Sequence, residues 1–183
     1  MTLPAGLQPG NYFVSHGSGL AGELIRRATE SWAGHAGVYA GQGMIIEGAP
    51  PATRLAPAAS HPDAIWNTGE QLTDEQRQAI VARAHALVGT PYDYAAYIGF
   101  ALEITGLRTG QQLEAVFRHD TWRVCSADVA DAYGFAGIDL TAGLKVPNLV
   151  SPADLYDRIA RQGGAAGVTG LSTRLSSPGP GGR

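Results

Sequence analysis

The feature that most constrains this 183-residue chain is an alternating segment between residues 35 and 48, interrupted by a glycine-rich turn. It reads His-Ala-Gly-Val-Tyr-Ala, then Gly-Gln-Gly, then Met-Ile-Ile-Glu-Gly. Alternating runs on both sides of such a turn predict an antiparallel β-hairpin. If the loop consists of residues 41–43, residue 40 pairs with 44, 38 with 46 and 37 with 47. We therefore expect a hairpin of defined register.

This register sorts the side chains into two faces, because successive residues of a strand point to opposite sides. One face is wholly apolar and consists of Ala36, Val38, Ala40, Met44 and Ile46. The other face carries His35, Gly37, Tyr39, Ile45 and Glu47. A slip by one residue would mix the two sets, so the apolar match favours this pairing. It places Glu47 diagonal to His35, about 7–8 Å away at the backbone, with room left between them by Gly37.

Several further elements are predicted from periodicity and from the residues that cap helices. A strand is expected at 11–14, and helices are expected at 20–29, 73–88, 95–105, 125–133 and 151–160. Thr73 and Gln76 form a capping box signature, and Gly89 ends that helix. Ser151 followed by Pro152 is typical of a helix start. Residues 49–63, rich in proline and alanine, are expected to form a loop.

Composition excludes several classes of protein. The net charge is −3 and no Lys/Arg cluster is present, so the chain lacks the electrostatic footprint of a nucleic-acid partner. No apolar stretch approaches the roughly 18 residues of a membrane span. The first residues lack the basic and apolar regions of a signal peptide. We therefore expect one domain without a transmembrane segment, located in the cytoplasm or associated with a phage particle.

Cys125 is the only cysteine, which rules out an internal disulfide and makes a cysteine-based zinc cage implausible. It begins a predicted helix, and a helix N-terminus favours a thiolate and offers amides for an oxyanion. The alternatives are a buried inert thiol and, for Glu47, an exposed strand carboxylate. We favour a nucleophile, because His35 and Glu47 supply a base and a group that orients it.

Four other histidines compete for the role of base, namely His16, His61, His85 and His119. His85 lies inside a predicted helix and His61 in the predicted proline-rich loop, so neither offers rigid positioning. His16, just past the first strand, is the stronger competitor, and His119 could reach the cysteine only by a local turn. We prefer His35 because a strand holds a catalytic group more firmly than a loop does.

Short segments of the chain, in the same order, resemble the circularly permuted NlpC-like papain-fold proteins of the YiiX/YaeF type. Gly34-His-Ala-Gly-Val-Tyr-Ala-Gly-Gln-Gly and Ile45-Ile-Glu-Gly-Ala are similar to their histidine strand and the strand that follows it. Gly89-Thr-Pro-Tyr-Asp-Tyr resembles their Gly-x-Pro-Tyr-Asp segment, Val124-Cys-Ser-Ala-Asp-Val their cysteine helix, and Val150-Ser-Pro-Ala-Asp-Leu their closing motif. The chain departs from the family at Gly10-Asn11, where Gly-Asp is frequent.

The resemblance implies an α+β, circularly permuted papain-like (NlpC-type) fold with an antiparallel sheet or barrel first and the nucleophile helix late. It implies Cys125 as nucleophile, His35 as base and Glu47 as orienting group, with Tyr92 lining the site near the oxyanion. The catalytic domain would span residues 1–162, and the composition of residues 163–183 predicts a flexible tail.

The function implied is that of a cysteine peptidase or amidase, acting without metal or cofactor on a peptide or peptidoglycan-type amide. Two alternatives remain open. A lipid acyl hydrolase or acyltransferase of the lecithin–retinol acyltransferase type shares the order of histidine and cysteine, but favours a second histidine as third member and a membrane anchor. A non-catalytic binding module on the same fold would be favoured by an apolar residue at a triad position, and none is present.

Overall fold

The computed structural model describes residues 2–92, 125–140 and 150–162. Along the chain, these ranges contain β1 (Tyr12–Ser15), α1 (Gly19–Ala28), β2 (His35–Gly41), β3 (Met44–Glu47), β4 (Arg54–Pro57), a 3-10 turn (Ala58–Ser60), β5 (Ile65–Trp66), α2 (Asp74–Ala86), α3 (Cys125–Phe135) and α4 (Pro152–Arg161). The predicted α+β class is confirmed. The helix predicted at 95–105 and the tail at 163–183 lie outside the described residues. Within those ranges, no helix is long and apolar enough to cross a bilayer.

The five strands form one antiparallel sheet in the order β4-β3-β2-β1-β5. The hairpin of β2 and β3 has the predicted register near the site, with Gly37 opposite Glu47 and Val38 opposite Ile46. The predicted pairing of residues 40 and 44 is wrong. An irregularity between Tyr39 and Gly41 shifts the register, so that Gly41 pairs with Met44.

The hairpin turn is accordingly shorter than predicted and consists of Gln42 and Gly43. Both residues have positive φ angles, 53° and 75°. Two-residue turns with positive φ at both positions match the right-handed twist of the flanking strands. The shorter turn therefore suits a twisted hairpin, and the bulge absorbs the extra residue of β2.

The two faces of the hairpin carry the two predicted sets of side chains. Ala36, Val38 and Ile46 lie in the main apolar core. Helix α3 packs across β2 and against α2 on this side of the sheet. On the opposite face, Tyr39 and Ile45 belong to a second apolar cluster, which the hairpin shares with the other strands. The sheet is thus covered on its helical side, and the start of α3 is brought near the strand ends.

The helix N-caps agree with the sequence, whereas two helix ends do not. Helix α2 ends at Ala86, before the predicted residue 88. Thr73 and Gln76 form the predicted reciprocal capping box at the start of α2. Pro152 is the first residue of α4 and follows the N-cap Ser151. Helix α3 continues past the predicted stop at Gly134 to Phe135. The residue with positive φ in this region is Gly137, at 77°.

The prediction of a loop over residues 49–63 is wrong, because this segment contains β4 and the 3-10 turn. Strand β4 pairs with β3 along its whole length, with Arg54 opposite Glu47 and Pro57 opposite Met44. It lies at the edge of the sheet, where a proline is tolerated since one side of the strand donates no ladder hydrogen bond. Strand β5 was also not predicted. Pairing with a formed neighbour, rather than intrinsic propensity, makes both segments strands.

Gly37 offers a test of this packing. A Cβ atom at this position would lie 2.7 Å from the carbonyl oxygen of Ile46 and 2.7 Å from Cε1 of Phe13. Because both neighbours are buried, we expect Gly37→Ala to lower the free energy of unfolding by about 1–3 kcal/mol. In the matched control Gly134→Ala, the new methyl group meets no described atom within 4 Å outside its own helix backbone. That control should raise the free energy of unfolding by about 0.5–1 kcal/mol, and urea denaturation that gave both variants the same sign would contradict the packing.

Candidate active site

All four residues predicted for the site line one cavity of about 120 Å³. They come from separate parts of the chain: His35 begins β2, Glu47 ends β3, Tyr92 follows α2 and Cys125 begins α3. The wall of the cavity also includes Arg54 and His61, which were not predicted for the site.

The hairpin register brings His35 and Glu47 into contact. The distance between His35 Nε2 and Glu47 Oε2 is 2.7 Å. Glu47 is 1% exposed, so the alternative of an exposed strand carboxylate is wrong. The diagonal placement across Gly37 thus becomes a buried hydrogen bond between an imidazole and a carboxylate.

Glu47 is held by three side chains that approach both of its oxygens. Oε2 lies 2.7 Å from Nε2 of His61 as well as from His35. Oε1 accepts two hydrogen bonds from the Arg54 guanidinium, at 3.0 Å from Nε and 2.9 Å from Nη2. Burial by itself raises the pKa of Glu47, but the hydrogen bonds and charges of the two histidines outweigh it and hold this pKa well below its usual range. The carboxylate is therefore charged and fixed in orientation.

His61 is a second histidine in the site, and the sequence does not predict it there. Its Nδ1 lies 3.2 Å from Oγ of Ser15 on β1, and its ring stacks on that of His35, with 5.0 Å between centroids and 24° between planes. The sequence predicts a loop at His61, yet this residue directly follows β4 and the 3-10 turn. The proline- and alanine-rich sequence carries little signal for that edge strand, so only strand pairing reveals this histidine.

The other competing histidines do not enter the cavity. His16 is exposed just after β1, and His85 is exposed on α2. His119 lies outside the described residues. Among the histidines that the structure describes, His35 and His61 are thus the two that line the site.

The position of Cys125 is set by close packing at the start of α3. The thiol residue is 2% exposed. A Cβ atom on Gly48 would lie 3.1 Å from Cys125 Cα and 2.9 Å from Oδ2 of Asp128, so the chain leaving β3 passes directly against the helix start. Thr53 donates a hydrogen bond of 2.8 Å to the same Asp128 oxygen. Only a residue without a side chain allows this approach at position 48.

The pKa of His35 depends on its contact with Cys125. Burial by itself lowers the pKa of His35, but the charge of Cys125 and the hydrogen bonds to Cys125 and Glu47 outweigh it and raise the pKa to about 10. The imidazole is therefore protonated over the ordinary pH range. Cys125 and the carboxylate of Glu47 are the two partners of His35 that stabilise this positive charge.

Tyr92 reaches the cavity because its own segment is tied to the loop after β3. Its backbone amide donates to the carbonyl of Pro51 at 2.9 Å, and the preceding Pro91 bridges to Ala52. The structure thus places this tyrosine in the wall that also contains Cys125.

Three side chains of the site are of the types that bind metal ions. His35, Glu47 and His61 each offer one ligand atom, and these atoms lie within 4.8 Å of one another. Two imidazoles and a carboxylate are a donor set suited to a divalent transition-metal ion. The arrangement could therefore hold a cation as well as support thiol chemistry.

Comparison with known proteins finds a solved structure with a similar fold, but no matching family model or curated protein. No protein-family model matches the sequence, and no curated protein matches it either. Among solved structures, the chain is similar to the crystal structure of the metalloprotein YiiX from Escherichia coli O157:H7, DUF1105. The TM-score is 0.53 and the sequence identity 18%, over 87% of this chain and 83% of that chain. The two proteins share their fold, in line with the resemblance seen in the sequence.

Removing the charge of Glu47 tests how much this buried carboxylate contributes to the stability of the fold. We expect Glu47→Gln to lower the free energy of unfolding by about 3 kcal/mol near neutral pH, because buried donors lose their charged acceptor. The pKa of Glu47 is lowered by folding, so its stabilisation is present above the ordinary glutamate pKa of about 4.3 and is lost as the pH falls through the folded-state value. The difference between wild type and variant, measured by urea denaturation, should therefore shrink in acid.

Glu23→Gln is the matched control for this substitution. Glu23 forms an exposed ion pair with Arg27 on the surface of α1, at 2.6 Å. Its loss should change the free energy of unfolding by about 0.5 kcal/mol at most. A Glu47 variant as stable as this control at neutral pH would show that the buried carboxylate and its partners do not stabilise the fold.

Proposed function

We propose that this protein is a cysteine hydrolase that cleaves an amide bond, of peptide or peptidoglycan type, through an acyl-enzyme intermediate. The observation that carries the proposal is the convergence of Cys125, His35 and Glu47 in one cavity, with a 2.7 Å contact between the histidine and the carboxylate. A nucleophile, a base and a group that orients the base are the minimum set for thiol catalysis.

The roles follow from the atoms that are already engaged. Nε2 of His35 contacts Glu47, which leaves Nδ1 for the thiol. The Cys125 thiolate attacks the carbonyl carbon of the substrate, and a new C–S bond forms as the carbonyl oxygen becomes negatively charged. The backbone amide of Cys125 at the helix start and the side chain of Tyr92 would stabilise this oxyanion.

The later steps complete the hydrolysis. The His35 imidazolium donates its proton to the leaving nitrogen, and the C–N bond breaks to leave a thioester on Cys125. The neutral imidazole then takes a proton from water, whose oxygen attacks the thioester carbon; the C–S bond breaks, the Cys125 thiolate is regenerated and the carboxylic acid is released. Throughout, Glu47 holds the ring in place and stabilises its positive charge.

The geometry favours an amide substrate over the lipid alternative. The residue that contacts His35 Nε2, and so would complete a catalytic triad, is the carboxylate Glu47. The second histidine, His61, stacks on the ring of His35 instead. Gly17, Gly22 and Gly34 line the cavity without side chains, which suits a narrow peptide-like backbone. Peptidoglycan amides remain the leading class by analogy of fold alone.

The alternative of a non-catalytic module receives less support from the site. Such a module has no need for a buried charge beside a thiol, since burying charge is costly unless it is paired. Here Glu47 is paired on both oxygens, and the pairing positions His35 next to Cys125.

The reactivity of the thiol against pH tests the proposed nucleophile. Because the pKa of His35 is raised to about 10, a positively charged imidazolium lies beside Cys125 over the neutral pH range and would favour a negatively charged sulfur. We expect native Cys125 to react with iodoacetamide at about pH 6.5, and His35→Ala to slow this reaction by about 100-fold, as for a thiol of pKa about 8.5. Rates should converge above that pKa.

His85→Ala serves as the control, because this histidine is exposed on α2 and far from the cavity lining. Its alkylation profile should match that of the wild type. If Cys125 is labelled only after denaturation, or if both histidine variants behave alike, the nucleophile assignment is wrong.

Hydrolysis assays decide the reaction and its substrate. Peptidoglycan fragments, phospholipids and acyl-peptides should be compared side by side, with Cys125→Ala as the inactive reference. We expect release of a new amine from the peptide-type substrates, and a kcat for Tyr92→Phe about 100-fold lower with KM little changed, if the phenol stabilises the oxyanion. Turnover confined to phospholipids would instead favour the lipid acyl hydrolase.

A further inference from the structure

His61 has no step in the proposed reaction, although it is a largely buried side chain in the heart of the site. Its Nε2 lies 2.7 Å from the same oxygen, Oε2 of Glu47, that contacts His35. Its exposed side-chain fraction is 18%, and that of His35 is 14%. Two imidazole nitrogens thus converge on one carboxylate oxygen in a cavity open to small solutes.

We infer that His35, Glu47 and His61 form a binding site for a divalent cation of the zinc class, and that occupation of this site prevents His35 from acting as the base of the proposed reaction. The cation site is read from the three ligand atoms themselves, which lie within 4.8 Å of one another. The second part of the inference rests on the proposed function, because it concerns the same histidine.

The spacing of the ligand atoms is close to what zinc requires. Zinc lies about 2.0–2.2 Å from nitrogen and oxygen ligands, so the ligands of a tetrahedral ion are about 3.3 Å apart. Both nitrogen–oxygen distances are 2.7 Å here. Each contact has to open by about 0.6 Å to admit the ion, which side-chain rotation supplies without movement of the strands.

The side chains around the three ligands can hold them in place both with and without a bound ion. The two Nε2 atoms present hydrogens to Glu47 without the ion and lone pairs to the ion when it is bound. Ser15 allows this exchange at His61, since its hydroxyl can either donate to Nδ1 or accept from it at the same 3.2 Å. Arg54 meanwhile orients Glu47 through Oε1, so Oε2 stays available. Hydrogen-bonded outer partners of this kind are typical of metal sites.

Cation binding and the base role of His35 then exclude each other. A bound ion takes the place of the proton on Nε2 of His35 and interrupts the contact of this nitrogen with Glu47. The remaining proton on Nδ1 could then leave only by making an imidazolate, so the ring no longer cycles between imidazolium and imidazole. The same His35 cannot serve as metal ligand and as base of the nucleophile.

Isothermal titration of Zn²⁺ into Cys125→Ala tests the cation site without any thiol chemistry. We expect one ion per chain. His61→Gln in the same background should weaken binding by about 100-fold or more, and Ser15→Ala by about tenfold, since even the outer partners of metal ligands contribute 10–100-fold. The control His85→Gln should bind as the parent does. Loss of binding by Cys125→Ala itself, or equal weakening by His61→Gln and His85→Gln, would overturn the proposed ligand set.

Ser15→Ala guards against a folding artefact, because it keeps all three ligands and removes only a hydroxyl. The thermal midpoint of each variant should be measured beside the titration. A Ser15→Ala protein that is folded and binds zinc as tightly as its parent would contradict the role given to His61 Nδ1.

Turnover tests the loss of His35 as a base. The kcat of the wild type on a peptide-type substrate should fall by about 100-fold when saturating Zn²⁺ replaces a chelator, because the metal-bound ring no longer cycles between imidazolium and imidazole. The rate of His61→Gln should respond little at the same zinc concentration. An unchanged wild-type rate would overturn this part of the inference. If the wild type hydrolyses no substrate with chelator present, the proposed hydrolase fails, and the titration of Cys125→Ala still decides the cation site.

Discussion

The site depends on one buried negative charge. Glu47 is 1% exposed, and a carboxylate removed from water is destabilising unless it is paired and hydrogen-bonded. Its partners come from three different places: the start of β2, the first residue of β4 and the turn after β4. The same pairing that makes this charge tolerable therefore ties three segments of the sheet together. Any one of them would be mispositioned if the carboxylate were lost.

The aromatic packing beneath the site adds to this constraint. Phe13 on β1 contacts the rings of both His35 and His61, with centroids 6.0 and 5.0 Å away. It also fills the space over Gly37 that a larger residue would need. The sequence predicts that Gly37 leaves room between the histidine and the carboxylate. In the structure Phe13 fills this space. Gly37 therefore allows Phe13 to pack against the two imidazole rings.

On the other side, helix α3 is attached to the sheet through its first turn. Gly48 passes against Cys125 and Asp128, and Thr53 bonds to the same aspartate. The residues just after β3 thus hold the start of α3, while the end of β3 holds the imidazole. A short stretch of chain therefore sets the position of Cys125 relative to His35.

The sequence by itself determined those features that rest on local periodicity and caps: the β2–β3 register near Gly37, the contact of His35 with Glu47, the starts of α2 and α4, and Cys125 as the first residue of a helix. Alternation with a period of two and capping residues are read within a few positions of the chain. Only the tertiary structure decided that β4 is a strand and that Arg54, His61 and Ser15 surround the carboxylate. An edge strand rich in proline and alanine has little propensity of its own. It forms because β3 offers hydrogen-bonding groups to pair with, and that pairing brings a distant histidine to the charge.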